Sequence, residues 1–236
     1  MSKQQRVAIV TGASQGIGAG LVEALRARGY RVVGTSRSIR PSDDPDHVAI
    51  AGDIGSADTA RRVVDETVRR FGRIDLLVNN AGIFTAKPFT QFTSTDFESN
   101  ISTNVAGFFH VTQAAVAVME RQGAGHVVSI TTTLVDQANS NVPSVLASVT
   151  KGGIAAATRS LAIEYAKKGL RFNAVSPGVI KTPMHPESTH DWLAALHPVG
   201  RMGQIADVVG AVLYLDSADF VTGEILHVDG GQSAGH

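Results

Sequence analysis

The segment 6–11 (RVAIVT) is a short unbroken apolar run that ends on Thr11-Gly12-Ala13-Ser14-Gln15-Gly16-Ile17-Gly18, and a helical pattern starts inside that glycine turn. Runs of this kind suit strands buried on both faces of a parallel sheet. Across 16–28, Ile17, Leu21 and Leu25 recur at every fourth position and Gly29 follows as a stop. The same alternation continues down the chain. Further strands are expected at 31–36, 47–51, 74–79, 126–131, 170–176 and 224–228, and helices at 57–71, 96–120, 145–168 and 205–215. Strands alternating with helices imply right-handed crossovers. The expected fold is therefore α/β, a single-domain doubly wound parallel sheet of about seven strands with helices on both faces.

A chain of 236 residues fits one such domain over 1–236. Lys+Arg and Asp+Glu are 21 each, so the basic footprint of a nucleic-acid binder is missing. There is no cysteine, which excludes disulfides, thiolate metal sites and cysteine nucleophiles; no metal site is expected. No apolar run approaches about 18 residues and the N-terminus leads straight into a strand, so no signal peptide or membrane span is expected and the cytoplasm is the default location. The segment 181–198 is a surface excursion with Pro183, Pro186 and three histidines, His185, His190 and His197. Long loops of this kind often close over ligands, and a substrate lid is expected at about 181–202.

Glycines in a strand-to-helix turn let the backbone approach a pyrophosphate, and the helix N-terminus offers free N–H groups. The spacing here is G-x-x-x-G-x-G. Gly12, Ser14, Gln15, Gly16, Ile17 and Gly18 are read as dinucleotide-binding. The second strand ends Thr35-Ser36-Arg37, with no acid before Asp43 to take a ribose 2′-hydroxyl. Ser36 and Arg37 point instead to a 2′-phosphate, hence NADP(H).

The turn at 11–18, then Asp53-Ile54, Asn79-Asn80-Ala81-Gly82, Asn104-Val105-Ala106-Gly107, Lys151, Pro177-Gly178, Thr182 and Val228-Asp229-Gly230-Gly231 follow one another in register. With these, the chain resembles the short-chain dehydrogenase/reductase family over essentially its whole length. The resemblance implies a Rossmann-type fold and an NADP(H)-dependent oxidoreductase of carbonyl, alcohol or imine groups. It implies that Asp53 and Ile54 flank the adenine and that Asn80, Ala81 and Gly82 wall the adenine-side ribose. Thr182 would hold the nicotinamide carboxamide, Pro177 and Gly178 would lie under the ring, and Lys151 would hold the nicotinamide ribose. Paired long helices further imply a homotetramer or homodimer.

The family uses a tyrosine acid/base whose phenol is made more acidic by a lysine four residues on. Four residues before Lys151 stands Ala147. The catalytic set that remains is Thr132, in place of the family's serine, with Lys151 and Asn104. Thr132 lies fifteen residues before Ala147, where the family interval is about thirteen. A threonine hydroxyl still donates a hydrogen bond, but alanine transfers no proton, and general acid–base catalysis typically contributes about 10²–10⁴-fold. Tyr30, Tyr165 and Tyr214 lie too far away to replace it. A water, Lys151 itself or a histidine of the excursion remain as donors. Alternatives are a nucleotide-binding pseudoenzyme or an engineered tyrosine-deficient variant. Phe84, Leu134, Val135, Val142, Met184, Trp192 and Leu193 suggest a mostly apolar pocket.

Overall fold

The computed structural model describes residues 5–235. Seven parallel strands form one sheet: β1 (Val7–Thr11), β2 (Arg31–Ser36), β3 (His47–Ala51), β4 (Leu76–Asn79), β5 (Gly125–Ile130), β6 (Leu170–Pro177) and β7 (Ile225–Val228), in the order β3-β2-β1-β4-β5-β6-β7. The helices are α1 (Gly16–Ala27), α2 (Ala57–Phe71), α3 (Ser94–Asn100), α4 (Gly107–Gln122), α5 (Val145–Tyr165), α6 (His190–Ala194) and α7 (Ile205–Ser217).

The central strands are apolar without interruption because both of their faces are buried. Ala8, Val10, Leu76 and Val78 pack on one side with Leu21, Leu25 and Val212 of α1 and α7. Ile9 and Leu77, one residue out of phase, pack on the other side with Val63, Val111 and Met119 of α2 and α4. The strand order reverses between β1 and β4. Ligands of such sheets bind outside the carboxyl ends of the strands at this reversal.

One expectation is corrected and another gains detail. The pattern at 96–120 is not one helix: α3 and α4 are joined by a π-helical stretch, Ile101–Ala106, which carries Asn104. The surface excursion at 181–198 is closed at its base. Ile180 bridges Gly203, Lys181 N–H donates to Gly203 O at 2.8 Å, and Gly203 N–H donates to Val179 O at 2.9 Å. Among the described residues no helix is long and apolar enough to cross a membrane.

Candidate active site

The glycine turn is a cradle whose glycines are required by backbone conformation or by close approach. Gly12 has φ 67° and Gly16 φ 56°, both in the left-handed region. A Cβ on Gly18 would lie 2.1 Å from Gly12 O, and one on Gly12 would lie 2.9 Å from the Cα of Ala81. No side chain caps the N-terminus of α1, so its first N–H groups are left for a ligand. Asn80 fastens the cradle to the end of β4 by donating from Nδ2 to Thr11 O at 2.9 Å and Gly12 O at 3.2 Å. The Thr11 hydroxyl takes the N–H groups of Asn80 and Ala81.

A cavity of about 510 Å³ opens beside this turn. Of the sequence-derived residues, Gly12, Gln15, Gly16, Ile17, Asn80, Gly82, Thr132, Lys151, Pro177, Gly178 and Thr182 line it. Ser14, Gly18, Ser36, Arg37, Asp53, Ile54, Ala81 and Asn104 do not. Ser36 and the exposed Arg37 close β2, whose Thr35 O takes the Ala13 N–H of the glycine turn at 3.1 Å. Asp53 is exposed and its Oδ1 takes the Gly55 N–H. The Ile54 side chain is buried in the core against Gly107, so only its backbone is left to a ligand.

Lys151 is buried, and its Nζ donates to Ile130 O at 2.8 Å. Burial in this apolar wall pulls the ammonium down to about 8. A Cβ on Gly82 would lie 3.0 Å from Lys151 Nζ and 3.3 Å from Asn104 Oδ1, so glycine here leaves these two groups room to converge. The Asn104 amide is fully engaged: Oδ1 takes the Ile83 N–H, and Nδ2 donates to Ile83 O and to the Thr150 hydroxyl. The π-helical widening turns Asn104 inward to make these bonds, and the side chain acts by fixing the strand end and α5.

The three consecutive threonines divide their work. The Thr131 hydroxyl donates to Val175 O and the Thr133 hydroxyl to Asp229 Oδ2. The Thr132 hydroxyl only accepts, from Leu134 N–H at 3.4 Å, and its proton is uncommitted. Ala147 lines the cavity and is 2% exposed. No tyrosine among the described residues lines it. Tyr30 bonds Asp216, Tyr165 packs on Phe172, and Tyr214 is exposed. Ser148 is not among the lining residues, and its hydroxyl donates to Leu134 O.

The excursion covers the cavity with Thr182 to Pro186, Trp192, Leu193 and Leu196. Phe84, Leu134, Val142, Met184, Trp192 and Leu193 take their expected places in the wall, whereas Val135 lies outside it, toward Gly152. The three histidines part ways. His197 is buried, with Nδ1 donating to Leu193 O and Nε2 accepting from Val179 N–H, and so it is a structural pin. His190 bonds His185 O. His185 lines the cavity, and burial followed by the neighbouring His190 lowers its pKa, which favours the neutral ring. Sequence reasoning missed the role of His197 and missed Gln232, whose place directly after the Gly230-Gly231 turn was the available signal.

A family model described as Enoyl-(Acyl carrier protein) reductase matches residues 12–233. The chain is 32% identical over 242 residues to the 3-oxoacyl-[acyl-carrier-protein] reductase FabG of Salmonella typhimurium, covering 98% of each. It is 38% identical over 240 residues to the granaticin polyketide synthase putative ketoacyl reductase 2 of Streptomyces violaceoruber, covering 95% of each. Among solved structures, ElxO with NADP bound superposes with TM-score 0.92 at 28% identity over 98% of this chain and 100% of that one. A tyrosine-to-phenylalanine variant of ElxO with NADPH bound gives 0.91 at the same identity and coverage.

Proposed function

The chain belongs to the short-chain dehydrogenase/reductase family, and from that premise we propose that it is an NADP(H)-dependent oxidoreductase of a carbonyl or alcohol group on a small, mostly apolar substrate, working without a tyrosine acid/base. The observation that supports the reading is the convergence of the glycine cradle, Lys151 and Thr132, whose hydroxyl proton is uncommitted, on one cavity that Ala147 of α5 also lines; in this reading Ala147 stands where the family places its phenol. The residues fit the cofactor: Gly12, Gly16 and Gly18 leave room for backbone to meet phosphate, and Arg37 stands at the β2 end with no acid beside it in sequence. ElxO binds NADP, and still binds NADPH with one tyrosine replaced by phenylalanine, which supports a cofactor site independent of that phenol.

In this reading NADP(H) supplies or accepts the hydride. Pro177, Gly178 and Thr182 orient the nicotinamide end, and Ser14, Gln15, Ile17, Asp53, Ile54, Asn80 and Ala81 hold the remainder. Thr132 donates its hydroxyl proton in a hydrogen bond to the substrate oxygen. Lys151 holds the transferable proton on Nζ, passed directly or through a water in the space beside Ala147. Asn104 is a positioning residue, because its amide bonds fix Ile83 and Thr150 around Lys151. The 181–202 segment serves as a lid, and assembly as a homotetramer or homodimer in the cytoplasm accompanies the reading.

The test is equilibrium binding of NADPH and NADH, followed by NADPH oxidation against ketones, aldehydes and imines. Tight NADPH binding with slow turnover of a ketone is expected. Failure to bind either nucleotide sinks the reading. Binding without turnover of any substrate in either direction would mark a nucleotide-binding protein without catalysis.

A further inference from the structure

α2 carries four arginines, and one of them is held differently from the rest. Arg61 pairs with Asp58, and Arg69 and Arg70 pair with Glu66. Arg62 forms no ion pair among the described residues. Its Nη2 donates instead to Ala51 O, at the last residue of β3, at 2.6 Å. Arg62 and Ala51 are both exposed, so solvent and solutes reach this pair. The bond uses one of the five N–H donors of the guanidinium; among the described residues the others have no partner.

The bond fixes a cation at the carboxyl end of the sheet. Ala51 is the register partner of Ser36, the last residue of β2, and Gly52 N–H donates to Ser36 O at 3.1 Å. Paired strands run about 4.8 Å apart, so the guanidinium stands one strand away from the point where Arg37 leaves β2. Gly52 makes the room for it. A Cβ there would lie 2.8 Å from Arg62 Nη2 and 2.6 Å from Thr59 Cγ2. No carboxylate bonds Arg62 among the described residues: Asp58 is taken by Arg61, and Asp53 Oδ1 by the Gly55 N–H. Arg37 is likewise exposed and forms no ion pair among the described residues. Two guanidinium groups at adjacent strand ends, both without an acid, suit a phosphate, whose oxygens match the planar fork of N–H donors.

We propose that Arg62 is a specificity-determining residue which, together with Arg37, holds the phosphate on the adenosine 2′ oxygen of NADP(H). The proposal rests on the NADP(H) reading of this site and adds to it a residue from a different element. A guanidinium can also stack on an adenine ring, but stacking would favour NADPH and NADH alike, so a comparison of ligands with and without the 2′-phosphate separates the two roles.

Matched probes test it: adenosine 2′,5′-bisphosphate beside adenosine 5′-monophosphate, and NADPH beside NADH. Dissociation constants are measured by calorimetry on the parent chain, on Arg62→Gln and on Arg62→Met, which keeps an apolar stem. The parent is expected to bind each 2′-phosphate ligand more than about tenfold more tightly than its twin. Both variants should cut that ratio about tenfold, the scale of one charged hydrogen bond, with the loss confined to the ligands that carry the 2′-phosphate. The salt dependence of bisphosphate binding should also become shallower in both. An unchanged ratio in whichever variant melts cooperatively overturns the proposal. So does equal weakening of both members of a pair, which marks Arg62 as a stacking or scaffold residue. A parent preference that Arg37→Asp removes and the Arg62 variants leave intact overturns the proposal alone. A parent that binds the twins alike overturns the NADP(H) reading, and the proposal with it.

Discussion

Lys151 carries an ammonium with one fixed partner, Ile130 O, and a methyl group one helical turn before it. Its pKa falls from 10.5 to about 8 through burial, so the proton-bearing form predominates below that pH. Carbonyl reduction that draws on this proton should decline as pH rises through about 8, and alcohol oxidation should rise over the same range; pH–rate profiles in both directions check this. Lys151→Ala should erase that limb and weaken NADPH binding about tenfold. Ala147→Tyr, facing the same cavity, should raise ketone reduction by about tenfold or more, within the range of a positioned acid; an unchanged kcat would show that Thr132 and the substrate oxygen no longer meet the phenol's place. Arg37 is exposed and has no neighbouring acid before Asp43. Arg37→Asp should remove or reverse a preference for NADPH over NADH, read as the ratio of the two dissociation constants, since a charged hydrogen bond to phosphate contributes about 1.5–3 kcal/mol.

At the scale of elements, the glycine turn depends on an atom-to-atom fit. Gly18→Ala sets a methyl 2.1 Å from Gly12 O, and backbone has to move to relieve it. A loss of about 1–3 kcal/mol in unfolding free energy, the range for overpacking, should accompany a more than tenfold loss of NADPH affinity, measured by denaturant titration and nucleotide fluorescence. This turn was legible in the sequence because glycine has few other reasons to recur between a buried strand and a helix. The strands were legible for a related reason: with Ile9 facing one layer and Ala8 and Val10 the other, both registers must be apolar. The π-helical stretch at Ile101–Ala106 was not legible. Widening one turn leaves the apolar pattern of 96–120 intact while changing which side chain faces Gly82. His197 looked like a loop histidine because nothing local shows that Val179 N–H will seek its ring.

Across the whole molecule, the two ends of the sheet are built differently. The carboxyl ends hold the cavity; the amino ends hold a buried polar cluster. Arg6 pairs with Asp216, Tyr30 donates to the same carboxylate, and His126 lies 3.5 Å from it. Burial lowers the His126 pKa from 6.5 to about 4. Between those two values the unfolded chain takes up a proton that the folded chain refuses, so stability present above pH 6.5 is lost as the pH falls toward 4. Urea midpoints taken across this window should drop with a contribution of about 1.4 kcal/mol per pH unit, and His126→Gln should flatten that part of the slope. The outer surface bears Phe97, Phe109, Val149 and Ile163, each more than half exposed, on α3, α4 and α5. Exposed apolar residues on these helices suit an interface between copies of the chain, as the proposed assembly requires. Light scattering should give a mass about four times 24.7 kDa, or about twice it, and Phe109→Glu combined with Ile163→Glu should lower it.

The bridge between Ile180 and Gly203 has a consequence for how such a chain diversifies. A segment whose two ends are already joined on the scaffold is a cassette. Its length and content can change while the anchoring rungs stay put, and the entropy of closing it grows only with the logarithm of its length, about 0.6 kcal/mol per doubling. The residues that would select the substrate, Met184, Trp192 and Leu193, lie inside that cassette, while the cradle and Lys151 lie outside it. New substrate ranges can therefore arise by rewriting 183–196 alone, with Thr182, His197 and the rest of the nucleotide-facing half of the molecule inherited unchanged.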